Sequence, residues 1–256
     1  MTFSKHHAAT QPEAPQQTDD LGDLDETQVA LLAEQCIVVN ENDEAIGGAS
    51  KKECHLWENI STTQLLHRAF SVLLFNSKNE LLIQQRSEAK ITYPFHFTNT
   101  CCSHPLNVSS ELRSENALGV KTAAQRRLAY ELGIPVEQVP PESMTLLTRI
   151  HYMAQNFPDT RWGEHEIDYI LVVRKDVDMD VNQNEVREIR YVSQNDLKSM
   201  LAESRPPSGE TIGPDDLVLT PWFRLLCERD GGLLFKWWNN LDDLTPLKDT
   251  VIHNWT

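Results

Sequence analysis

Arg68-Ala69-Phe70-Ser71-Val72-Leu73-Leu74-Phe75-Asn76 decides the fold, read with the Ser77-Lys78-Asn79-Glu80 link and the return run Leu81-Leu82-Ile83-Gln84-Gln85-Arg86. The first run is almost continuously apolar, the link holds turn formers, and the second run returns. This pattern predicts a hairpin buried on at least one face, at the centre of a sheet. Upstream, Asp25 to Gln35 has a helical pattern. Cys36-Ile37-Val38-Val39-Asn40 is a β-branched strand closed by the turn at Glu41-Asn42-Asp43, and a second strand is expected through Ile46. Downstream, Asn116 to Leu132 places Val120, Ala124, Leu128 and Leu132 four apart on one helical face, with Gly133 just past the end. Strands follow at Thr145 to Met153 and Glu164 to Arg174, joined by a loop containing Pro158. Ser193 to Ala202 is predicted helical, Glu203 to Asp215 a loop, and Pro221 to Trp238 a closing helix. The order defines an α+β protein with helices against the faces of a mixed sheet.

The 256 residues suffice for one well-filled core. Residues 1–25 are polar and nearly free of large apolar side chains, so a disordered acidic tail is expected there, with a single domain over 26–256. A net charge of -15 opposes attraction to nucleic acid or anionic lipid, and no apolar run has the ~20 residues of a membrane span. An anionic substrate must therefore meet local positive charge. Five cysteines without a CxxC pair, and no secretory or peroxisomal signal, point to a reducing compartment, with the cytoplasm as default.

Chemistry concentrates in Thr98-Asn99-Thr100-Cys101-Cys102-Ser103-His104-Pro105, which sets two thiols, hydroxyls and an imidazole beside a proline. In Glu164-His165-Glu166 a period of two sends both carboxylates to one face and His165 to the other. Such a pair is either an exposed strand end or a site where a cation relieves mutual repulsion. If His55, His67 and His104 converge on Glu164 and Glu166, three imidazoles and two carboxylates suit Zn, Mn or Fe better than an all-oxygen Mg site. Cys102 is then free for proton transfer or nucleophilic attack. Lys51, Lys52, Arg86, Lys90 and Arg127 border the same expected mouth, as solvated side chains or as a clamp for phosphate oxygens. Arg127 and Glu131, four apart, form either a surface pair worth ~0.3 kcal/mol or part of a site for Mg carried in by a diphosphate.

Five blocks, Lys51-Lys52-Glu53-Cys54-His55-Leu56, His67-Arg68-Ala69-Phe70-Ser71, Thr98 to Pro105, Glu131-Leu132-Gly133-Ile134 and Trp162-Gly163-Glu164-His165-Glu166-Ile167-Asp168, occur in the order found in the type I isopentenyl-diphosphate delta-isomerases. The chain resembles that branch of the Nudix superfamily from about Gln28 through Trp238. The resemblance implies an α/β/α sandwich with a central mixed sheet and N- and C-terminal additions. It also implies interconversion of isopentenyl and dimethylallyl diphosphates for isoprenoid and sterol synthesis. Cys102 and Glu166 match the catalytic pair. His55, His67, His104, Glu164 and Glu166 match ligands of a divalent metal (Zn, Mn or Mg), and Glu131 matches a ligand of the substrate's Mg. Lys51, Arg86, Lys90, Ser103 and Arg127 match diphosphate contacts, and Tyr152 and Trp222 aromatic walls of the pocket. A prenyl diphosphate is the implied partner, with the protein a monomer or weak dimer that uses neither nucleic acid nor membrane.

The hydrolytic Nudix helix carries Arg-Glu followed by two successive Glu. Here Arg126 is followed by Arg127, and Tyr130 precedes a single Glu131, which argues against a diphosphate hydrolase. A free thiol and a carboxylate at 102 and 166 also speak against a mere binder or a structural zinc protein. Trp57 and Phe95-His96 depart from the family pattern and are expected to reshape the entrance or lower activity.

Overall fold

The computed structural model describes residues 21–22, 24–205 and 211–256. The expected tail therefore lies almost wholly outside the described residues, as does the middle of the Glu203 to Asp215 loop. The N-terminal part runs α1 (Glu26–Leu31), β1 (Gln35–Val39), β2 (Ala45–Ser50), α2 (Lys51–His55) and α3 (Trp57–Thr63). Next come β3 (His67–Phe75), β4 (Leu81–Arg86), β5 (Phe97–Thr98), β6 (Cys101–Ser103) and α4 (Leu118–Leu132). Then follow β7 (Thr145–Gln155), β8 (Gly163–Arg174), β9 (Val186–Val192) and α5 (Gln194–Glu203), and the chain closes with α6 (Pro221–Glu228), α7 (Leu233–Trp238) and β10 (Ile252–Asn254).

All strands join one mixed sheet in which β3 is central and buried at every position. It runs parallel to β8 from His67↔Glu166 to Phe75↔Arg174, while β7 lies antiparallel on the far side of β8. Alternation along the strands feeds two cores. Phe70, Val72 and Leu74, with Leu171 and Val173, pack against Val120, Ala124, Leu128 and Leu132 of α4. Leu73, Phe75, Ile170 and Val172 face the other way, against Leu197 of α5 and Trp222, Phe223, Leu226, Trp237 and Trp238 of α6 and α7. This is the expected α/β/α sandwich, and truncating any of these leucines to Ala should cost about 2–5 kcal/mol. Among the described residues no helix is long and apolar enough to cross a membrane.

Three elements differ from expectation. The Arg68 hairpin pairs only at Phe75↔Leu81, after which β4 turns to β5 and β9. Thr100 is the wedge: its hydroxyl donates to the Leu82 carbonyl at 2.6 Å and accepts from the Leu74 amide at 2.9 Å, bridging strands that it holds apart. The helix expected from Asn116 starts at Leu118, because Asn116 and Ala117 take left-handed φ values of 50° and 54°. It stops at Gly133, where φ is 64° and a Cβ would lie 2.1 Å from the Asp180 carbonyl oxygen. The closing helix is two helices, broken where Asp230, Gly231 and Gly232 all have positive φ. Strands β5, β6 and β10 are too short for a periodic signal. Charged side chains interrupt the apolar pattern of β9 at Arg187, Glu188 and Arg190.

Candidate active site

Strand register assembles the site. His67 opens β3 directly beside Glu166 of β8, whose other neighbour is Tyr152 of β7. Ser50 and Glu53 form a capping box that starts α2, so Lys51 stands at its head and His55 at its foot. The chain leaving β6 supplies His104. One donor atom from each of His55, His67, His104, Glu164 and Glu166 lies within 4.8 Å of the others. The two glutamates are buried, so the exposed-strand-end alternative falls away. His165 points to the opposite face, where its Nε2 meets Nε2 of His151 at 2.9 Å.

The donor set fits a divalent cation. Nδ1 of His55 shares a hydrogen with the Lys51 carbonyl at 2.7 Å, which leaves the Nε2 lone pair toward the cluster, 2.9 Å from Oε2 of Glu164. Nε2 of His67 and of His104 lie 3.3 and 2.8 Å from the same Glu166 oxygen. Yet both nitrogens of His67 and Oε2 of Glu164 are buried without a hydrogen bond of acceptable geometry. His104 Nε2 bonds Glu166 Oε1 at 2.8 Å, but the His67 and Glu164 atoms that approach the same point unsatisfied are what a metal site requires. Burial pushes His104 well below the usual imidazole range, keeping it neutral. Burial also resists charge on His55, but the Glu164 carboxylate outweighs it and raises that imidazole. At Glu166 burial favours the neutral acid, while the adjacent His67 imidazole and the hydrogen bond from Tyr152 prevail and hold the carboxyl below its ordinary range. The Tyr152 hydroxyl reaches Glu166 Oε2 at 2.5 Å.

One cleft is lined by His55, His104, Glu164 and Glu166 together with Cys102, Ser103, Lys51, Arg86, Lys90, Arg127, Tyr152 and Trp222. Cys102 packs on the same face as Trp222. Burial lifts its thiol to about 12 against the opposing pull of Arg86, whose Nη1 stands 3.9 Å from the sulfur, so the thiol keeps its proton at neutral pH. The Trp222 indole donates to Asn99 Oδ1 at 3.0 Å, and the ring packs 5.3 Å from Tyr93 and 6.2 Å from Tyr152. It is thus both core anchor and cleft wall.

The cations are tethered. Arg86 donates to the carbonyls of Thr92 and Tyr93, and Lys90 to Glu185 at 2.7 Å. Burial lowers the Lys90 ammonium to about 8 despite Glu185. Arg127 and Glu131 are a buried pair, which excludes the surface alternative, and Arg127 also meets Glu185 at 3.0 Å. Glu131 stands outside the His/Glu cluster, with Oε1 on Arg127 and Oε2 accepting from Gln84 at 3.1 Å. Lys52 does not line the cleft, nor do Trp57, Phe95 or His96. The Trp57 ring lies over Gly163, where a Cβ would come within 2.5 Å of it, and His96 is buried with Nδ1 on the Pro94 carbonyl. None of these departures from the family pattern lines the cleft itself. Sequence reading missed Glu185, Gln28 and Asp168. Asp168 continues the even face of Glu164 and Glu166, bonds Ser71, and is driven far above the carboxylate range by burial. That parity was a usable signal. Nothing marks Glu185 beyond its acidity.

A NUDIX domain model matches residues 65–212, more than half of the chain, and the sandwich described above agrees with it. The chain belongs to the NUDIX family. Isopentenyl-diphosphate Delta-isomerase 1 of Bos taurus is 53% identical over 227 residues, 89% of this chain and 94% of that protein. The corresponding delta-isomerases of Gibberella zeae and Schizosaccharomyces pombe are 52% and 48% identical, each over 90% of this chain and over 86% and 95% of their own lengths. Within the NUDIX family, the chain belongs to the isopentenyl-diphosphate delta-isomerases.

Proposed function

We propose that the cleft interconverts isopentenyl diphosphate and dimethylallyl diphosphate, shifting a double bond from C3–C4 to C2–C3 through a tertiary carbocation. The observation that carries this reading is one buried cleft walled by a protonated thiol, an ionised carboxylate and an aromatic ring, beside a cluster of cations. Cys102 and Glu166 serve opposite sides of the five-carbon chain, one handling the proton at C4 and the other at C2, and they exchange acid and base roles with direction. Tyr152 fixes the Glu166 carboxyl and supplies a hydroxyl for proton exchange at Oε2. Trp222 faces the developing cation, a contact worth ~2 kcal/mol in a dry site. Burial of the walls excludes water that would trap the cation as an alcohol.

His55, His67, His104, Glu164 and Glu166 would hold a divalent ion, Zn, Mn or Mg. When bound, it neutralises the paired carboxylates and immobilises Glu166. Lys51, Arg86, Lys90, Ser103 and Arg127 clamp the diphosphate. Mg travels with that diphosphate, and Glu131 becomes available to it on release of Arg127 or Gln84. The reading extends to a single catalytic domain over 26–256, working as a monomer or weak dimer in the cytoplasm and supplying isoprenoid and sterol precursors. The five free thiols support a reducing compartment, and the charge of -15 supports independence from nucleic acid and membrane.

The test is incubation with isopentenyl diphosphate and Mg in deuterated water. The expected result is dimethylallyl diphosphate carrying deuterium, without phosphate release. Released phosphate with no isomer would mean a hydrolase, and binding without either product would mean a carrier.

A further inference from the structure

We propose that Glu185 is a positioning residue of the diphosphate end: its single buried carboxylate sets the spacing of Lys90 and Arg127 and ties helix α1 to both. The inference rests on the diphosphate reading above. Glu185 lies outside the cleft lining. Its Oε2 accepts Lys90 Nζ at 2.7 Å and Arg127 Nη2 at 3.0 Å, and its Oε1 accepts the Gln28 amide at 2.9 Å. These three partners come from the loop after β4, from α4 and from α1. Two cations drawn to one oxygen would repel each other in a buried setting without the charge between them.

The carboxylate is itself anchored. The Glu185 amide donates to the Asn182 carbonyl at 3.0 Å, its carbonyl accepts from Ser87 at 3.1 Å, and the next residue, Val186, pairs with Arg86. The backbone that carries Glu185 is thus fixed to the end of β4, where the expected diphosphate contact Arg86 sits. Arg127 spends Nε on Glu131 and Nη2 on Glu131 and Glu185, which orients the guanidinium at the cleft wall. Gln28 also donates to Asn184 Oδ1 at 2.7 Å, and Asn184 in turn donates to Asp25, the cap of α1. Gln28 and Leu32 both line the cleft, so α1 covers the end where the cations stand.

Because no bond of the diphosphate forms or breaks in the isomerisation, its contacts serve binding in the ground and transition states alike. Loss of their alignment should raise KM and leave kcat unchanged. The experiment measures KM and kcat for isopentenyl diphosphate, and the Kd of Mg-pyrophosphate by calorimetry, in Glu185→Gln, Glu185→Asp, Gln28→Leu and Lys90→Met. Glu185→Gln should raise KM and the pyrophosphate Kd about tenfold with kcat within about twofold. Glu185→Asp should fall between it and wild type, and Gln28→Leu should raise KM a few-fold. A folded Glu185→Gln with wild-type KM beside a Lys90→Met with raised KM would overturn the role of Glu185 alone. Unchanged KM and Kd in Lys90→Met would instead overturn the diphosphate reading. A fall in kcat equal to the fall in kcat/KM in Glu185→Gln would also refute positioning, since it would place the effect on chemistry. If Glu185→Gln does not fold, wild-type KM in both Glu185→Asp and Gln28→Leu overturns the proposal.

Discussion

The cleft has two charged ends, and they solve burial in opposite ways. At the cation end Lys90, Arg127, Glu131 and Glu185 satisfy one another at 2.7 to 3.1 Å. At the His/Glu end both nitrogens of His67 and one oxygen of Glu164 are buried with no hydrogen bond. The first end is complete within the protein and needs only to yield part of its pairing to an incoming anion. The second leaves donor atoms that a divalent cation from outside would satisfy. Buried ionisable groups therefore mark a site at both ends, but only the unsatisfied end specifies a resident ion.

Between the two ends lies the proposed chemistry, where the largest effects are expected. Cys102→Ala and Glu166→Gln should each lower kcat by about 10²–10⁴-fold, the range for a positioned acid or base, while circular dichroism stays that of wild type. Retained turnover in either would detach these residues from catalysis. At the unsatisfied end, His67→Ala should abolish metal content by elemental analysis and lower activity by at least about 100-fold, since even the outer partners of metal ligands cost 10–100-fold. Chelation should lower the wild-type Tm, because the ion binds the folded form alone. A variant of the cation end such as Lys90→Met should keep its metal. Replacing Trp222 with Leu removes the ring face together with the hydrogen bond to Asn99, so kcat should drop by at least about 30-fold, equivalent to ~2 kcal/mol for the ring face alone.

At the paired end the effect is smaller and depends on pH. Lys90 is lowered to about 8, so its charge is present below that value and lost above it. KM should rise above pH 8 while kcat stays flat, and Lys90→Met should remove that limb of the KM profile. The smallest effect belongs outside both ends. Trp57 covers Gly163 rather than the cleft, so Trp57→Asn should change kcat/KM by less than about threefold; a larger change would show that the wall behind Glu164 transmits strain into the site.

Much of this was legible in the chain because it follows from local periodicity. Alternation at Glu164-His165-Glu166 correctly separated two carboxylates from His165, and the four-residue spacing in α4 identified the helix that covers one face. The splay of β3 from β4 was not legible, since it depends on the hydroxyl of Thr100, a residue of the thiol segment 25 positions beyond Phe75, entering between the strands. The break before Leu233 could have been read from Gly231-Gly232.

By itself the sequence determined the class of fold and offered five candidate metal ligands, because hydrophobic period and side-chain chemistry are properties of short segments. The candidate acid and base came from the resemblance of its motifs to a family. Tertiary structure alone decided the partners: that His67 lies beside Glu166, that Arg127 meets Glu185, and that Glu185 links three distant segments. The reason is physical. Coulomb and hydrogen-bond energies depend on separations of a few ångströms between residues that the chain places tens to more than a hundred positions apart.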